Sequence, residues 1–162
     1  MGSSLVAAPL LDRRRQGGAS KKIGPLLAHL DELEAAYAQA LHDASARFAE
    51  EQDVFHQCLT FAAAADAARQ KLAPLRQRYA GKPEWQIVAA KPGNVLLEDL
   101  RSLYLMAQQV AVSWVMAQQA AKAARDADLN ETAGERHTEA DTEAKWFLTR
   151  IKVGAPQALV VA

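Results

Sequence analysis

A single cysteine, Cys58, stands in a chain of 162 residues, so no internal disulfide is available and the thiol fits a reducing compartment. Aromatic side chains make up only 6% of the chain, too few for a core built on stacked rings. Net charge is also missing: nineteen basic residues balance nineteen acidic ones, so the chain as a whole is not drawn to nucleic acid or anionic lipid. No apolar run reaches the length of a membrane span, because charges break every one, and no membrane contact is expected. There is no Gly-rich phosphate loop, cysteine pair, G-x-S-x-G elbow or zinc-protease histidine pair. None of the four histidines is followed by the Lys-Gly of a phosphorelay module. The apolar run at 5–11 precedes Arg13 rather than following it, the reverse of a secretory signal, and Val6 stands where a myristoylation signal wants Ser or Thr. The expectation is a cytoplasmic chain without a processed signal.

What the chain does have is alanine, 35 residues of it, and apolar stripes at helical spacing. The central stretch, 94–128, contains no Gly or Pro, and its apolar row steps by fours and threes through Leu96, Leu100, Leu103, Ala107, Val110, Trp114, Ala117 and Ala121. A helix that long, roughly 50 Å, needs other helices to cover its stripe. They are supplied by Leu30, Leu33, Tyr37 and Leu41; by Val54, Cys58, Phe61, Ala65 and Leu72; and by Leu129, Ala133, His137, Ala140, Ala144 and Phe147. Pro25 suits a helix start and Asn94 caps the central helix; no strong breaker separates Pro25 from Pro74, so one long helix is open there, but the polar cluster 50–53, with Asp53 as a cap, favours two. Gly81, Pro83, Pro92 and Gly93 mark one long connection, in which Trp85, Ile87 and Val88 are expected to pack against the bundle. Gly154 and Pro156 are expected to stop the last helix, and the apolar tail to cover the bundle's end. The fold class is therefore all-α, without β-sheet: a four-helix bundle with helices at about 25–49, 53–79, 95–127 and 128–152. Two antiparallel pairs joined by a crossover give it the connectivity of ferritin-like bundles. Residues 1–23 form a basic arm, 24–153 the bundle and 154–162 the tail.

A ferritin-like connectivity raises the question of a di-metal centre, which needs inward Glu on two helices and Glu-x-x-His on the other two. The pattern is not met. The central helix has no acid or His from 103 to 124, and the residue three before His137 is Gly134. Asp53-x-x-His56 sits at a helix start, and His29-x-x-Glu32 has the reversed order. The row Glu131, Glu135, Glu139 and Glu143 reads as a solvated face, and His29 and His42 as surface residues. His137 falls on the core stripe, where Asp66 or a tyrosine hydroxyl would serve as its partner. Cys58 reads as buried and inert. The two MAQQ copies, at 106–109 and 116–119, lie ten residues and hence roughly 80° apart on a helix, so they share no face.

Several runs resemble a group of uncharacterised bacterial ferritin-like proteins: Arg78-Tyr79-Ala80-Gly81, Trp114, Arg125-Asp126 with Leu129, Trp146 with Arg150-Ile151-Lys152, and Ala155-Pro156-Gln157-Ala158-Leu159. The likeness covers about 50–160. It implies the ferritin-like fold, and the superfamily's usual work implies di-iron oxidation or iron storage; the ligands of that chemistry are where this chain departs from the pattern.

The expected function is accordingly non-enzymatic, without a cofactor: a helical bundle that binds another protein or itself. Arg13, Arg14, Arg15, Lys21 and Lys22 form one anion- or partner-binding contact. One alternative is a divergent metal site using Asp53, His56 and His137 with iron, manganese or zinc. A second is non-specific nucleic-acid binding through the arm, by phosphate contact alone because no aromatic interleaves its charges.

Overall fold

Each apolar stripe becomes the inner face of a helix. The computed structural model describes residues 22–161, and among these there are four α-helices and no β-strand: α1 (Ile23–Arg47), α2 (Gln52–Arg76), α3 (Leu96–Ala124) and α4 (Ala127–Pro156). A wider π-helical turn, Gln157–Val161, continues α4. The stripe residues from Leu30 through Tyr37 to Leu41, from Val54 to Leu72, from Leu100 to Ala121 and from Leu129 to Phe147 close into one buried core. Alanine-rich faces let the helices approach closely, while Phe61, Trp146 and Phe147 fill the α2–α4 seam edge to face, with ring centroids 5.4–6.0 Å apart.

Helix directions follow from the cross-links. Arg47 at the end of α1 meets Asp99 at the start of α3, and Asp53 at the start of α2 meets Arg150 near the end of α4. Both pairs of helices are thus antiparallel, as are the hairpins α1–α2 and α3–α4. The connection 77–95 must then travel the length of the bundle, and it does so as an extended strap. Gly81 lies against Gly24 and Pro25, where a Cβ on Gly24 would collide with the Ala80 carbonyl, so only glycine allows the crossing. Further up, Trp85 meets His29, Val88 meets Gln109, and the Gly93 N–H donates to Asp99.

Several local expectations are corrected. Helix α1 begins at Ile23, so Pro25 is its third residue; its missing N–H is still one of the four orphans of a helix start. Glu51 and Val95, not Asp53 and Asn94, occupy the cap positions of α2 and α3, and neither caps through its side chain. Asp53 instead accepts from Arg150, a charge-assisted bond that outcompetes a cap. Asp126 does cap α4, accepting from the Leu129 N–H. Gly154 and Pro156 do not stop α4: a proline in the last turn removes one bond only, and the chain widens into the π turn. Leu159, Val160 and Val161 remain exposed instead of covering the bundle. Val88 is likewise exposed, since its backbone rather than its side chain is what α3 holds.

Candidate functional site

The middle of the bundle is polar. Arg136 of α4 is buried, yet its guanidinium is gripped on two sides. Its Nε and Nη2 donate to Glu34 of α1 at 2.7 and 3.0 Å, and Nη1 donates to Glu143 of α4 at 2.6 Å. The Trp114 indole N–H of α3 also donates to Glu34, at 2.8 Å, and the Tyr37 hydroxyl donates to Glu143 at 3.0 Å. Three helices are tied together by five buried groups, and every carboxylate oxygen among them has a donor. Burial opposes the charge on Arg136, but the adjoining Glu34 and Glu143 outweigh it and hold the guanidinium protonated. For Glu143 burial wins over the help of Arg136 and Tyr37, so its carboxyl titrates above the usual range. Tyr37 is pushed well up, first by burial and then by Glu143 beneath its hydroxyl.

This network corrects the reading of 131–143 as one solvated face: Glu131, Glu135 and Glu139 are exposed, but Glu143 is buried. The sequence carried a signal for it. Leu129, Ala133, Arg136, Ala140, Glu143 and Phe147 alternate fours and threes more faithfully than the row through His137, as do Leu30, Glu34, Tyr37 and Leu41. Following spacing ahead of polarity places all three charges inside. His137 is displaced to the edge of the stripe and half-buried; its Nδ1 has no protein partner, and Asp66 points to water. His29, far from being a surface residue, is 4% exposed beneath Trp85, its ring centroid 5.8 Å from the indole, and burial lowers its pKa. His42 is exposed as expected. Cys58 is buried, and burial, with Asp99 and Asp53 adding to it, pushes its thiol up to about 12.

The donors do not suit the di-metal centre that ferritin-like bundles imply. Mid-bundle carboxylates Glu34 and Glu143 are spent on a guanidinium, and no imidazole joins them. Asp53 is paired with Arg150, and His56 is exposed with its ring against Phe55. His137 lies thirteen residues before Arg150 on α4, roughly 20 Å along the axis. Among the described residues, no three His, Cys, Asp or Glu side chains gather in a way that could hold a metal ion. Of the basic arm, Arg13, Arg14, Arg15 and Lys21 lie outside the described residues. Lys22 is paired with Glu84 of the strap at 2.8 Å.

The surfaces are more distinctive. A cleft of about 250 Å³ between strap and bundle is lined by small side chains such as Ala36, Ala40 and Ala90, with the Arg47–Asp99 pair beside it. The outer face of α3 is of another kind. Leu105, Val112 and Met116 lie 53%, 56% and 43% exposed along one row, with exposed Gln108 and Gln119 between and after them. No charged residue occurs anywhere in 102–121. By contrast, α4 presents Asp128, Glu131, Glu135 and Glu139 to water. Comparison with known proteins finds no match to this chain: no family model, no curated relative and no solved structure.

Proposed function

We propose that this protein is a non-enzymatic docking bundle that binds another protein through the outer face of α3. The observation that supports the reading is the uncharged row of Leu105, Val112 and Met116, open to solvent at helical spacing. Apolar residues aligned over three turns of an outward helix face form a contiguous patch, which marks an interaction surface more often than scattered exposed residues do. The polar centre supports the same reading from inside. Its donors and acceptors satisfy one another, so its chemistry serves to fix which helices meet and at what height. The basic arm, with Arg13, Arg14 and Arg15, adds a separate, salt-sensitive contact to an acidic partner surface.

The test is position-dependent photo-cross-linking in the living cell. A photoreactive residue at Val112 is expected to give a discrete protein adduct, and one at Glu131 on α4 none. Equal labelling from both positions, or none from Val112, would overturn the docking face. Removing residues 1–21 is expected to reduce the salt dependence of the adduct yield.

A further inference from the structure

We infer that the partner on this face is a second copy of the same chain, packed antiparallel about a twofold axis; the inference rests on the docking reading above. The outer row of α3 keeps a strict heptad spacing from Glu98 to Lys122, through Arg101, Leu105, Gln108, Val112, Val115 and Gln119. All of these are exposed except Val115, which is half-buried beside exposed Met116. Turning a second α3 end for end about an axis beside residue 110 brings the row onto itself in four layers, each occurring twice. Glu98 meets Lys122, Arg101 meets Gln119, Leu105 meets Val115, and Gln108 meets Val112. Acid faces base at both ends, Leu105 packs on Val115 within, the uncharged Gln108 lies across from Val112, and no layer opposes like charges. A parallel pairing would instead set Glu98 against Glu98 and Lys122 against Lys122.

The contact is small. The row is about 36 Å long, and a helix face about 10 Å wide buries roughly 700 Å² over both copies. Val88, exposed on the strap beside Gln109, flanks the row and enlarges it. An area that small, below the standard size of a stable interface, makes the dimer a weak and transient one. A twofold contact of this kind closes on itself, so the assembly stops at two.

Sedimentation equilibrium of the full chain from low micromolar to several hundred micromolar tests this. The expected result is a monomer–dimer equilibrium in which Leu105→Glu weakens association at least tenfold. Glu98→Lys and Lys122→Glu should each weaken it several-fold, and the two together should restore it, with circular dichroism confirming that every variant keeps its helicity. A dimer indifferent to Leu105→Glu, or charge reversals that do not rescue one another, would overturn the antiparallel pair. A chain that stays monomeric while the Val112 adduct persists in the cell would overturn the second copy and leave the docking face standing. Loss of both the dimer and the adduct would remove the two readings together.

Discussion

Arg136 holds a full charge almost wholly out of water, at 3% exposure, and is tolerable there only because Glu34 and Glu143 meet it on both sides. Removing one partner of such a group costs far more than the group contributes net, since the remaining charges stay desolvated. Arg136→Ala is therefore expected to destabilise the fold by about 3–5 kcal/mol at neutral pH, read from urea unfolding. The sign of its pH dependence follows. Without the guanidinium, buried carboxyls bind protons more tightly folded than unfolded, so the deficit should shrink as pH falls toward the ordinary carboxylate range. A deficit that grows on acidification would mean that Glu34 and Glu143 are not what Arg136 neutralises. Trp114, fully buried and bonded to Glu34, gives an apolar counterpart: Trp114→Ala should cost about 3–5 kcal/mol. A change below about 1 kcal/mol would contradict its burial. These residues show why the sequence was only half legible at the site. Trp114 declares itself by type and by spacing together. Glu34, Arg136 and Glu143 have the spacing of core residues and the type of surface ones, and the three-dimensional meeting of α1 with α4 shows that spacing was the better guide.

At the level of elements, the turn between α3 and α4 shows a strained solution. The Arg125 N–H returns to Lys122 and the Asp126 N–H to Ala121, the paired bonds of a Schellman ending, with Arg125 in the left-handed region at φ 55°. Glycine is the usual residue there because a Cβ is penalised in that conformation. Arg125→Gly is expected to raise stability by about 1 kcal/mol, measured as a shift in the urea midpoint. A loss would show that the Arg125 side chain contributes more than its backbone costs. The strap poses the opposite case. Gln109 both donates to and accepts from the Val88 backbone at 3.0 Å, standing in for a neighbouring strand. Gln109→Ala should speed amide exchange at Val88 while costing only about 1 kcal/mol overall. The helices themselves were legible because a long stripe without Gly or Pro leaves little choice, but the break at 48–51 was not fixed by its polar cluster, since no strong breaker separates Pro25 from Pro74. The caps were not, because a cap is decided by competition: Asp53 found Arg150, which lies on another helix and nearly a hundred residues away in sequence.

For the whole molecule, three buried titrating groups at separate places respond to acid and pull in opposite directions, while Asp141 at the surface, lowered by its bond from Lys145, adds to the loss below 3.8. His29, under Trp85, has a pKa lowered from 6.5 because burial disfavours its cation, so its contribution is lost as pH falls below 6.5. Glu143 has a pKa raised from 4.5 by burial; folding takes up a proton there, and stability from this group grows as pH falls through the raised value toward 4.5. Burial would also raise Asp126, but the Tyr79 hydroxyl at 2.6 Å, the Leu129 N–H and Arg78 outweigh it and hold the carboxyl below 3.8. That stabilisation is full above 3.8 and is lost only below it. Between pH 6.5 and 4.5 the His29 loss and the Glu143 gain act in opposite directions on the urea midpoint of the native chain. Below 3.8 the Asp126 loss should dominate and the midpoint fall. His29→Gln, which keeps a donor but cannot charge, should remove the His29 loss and leave a rise on acidification across this range. Asp126→Asn, less stable throughout, should weaken the fall below 3.8. A His29→Gln profile without that rise would show that the proton at Glu143 does not stabilise the assembled bundle, and that its buried centre keeps a second negative charge.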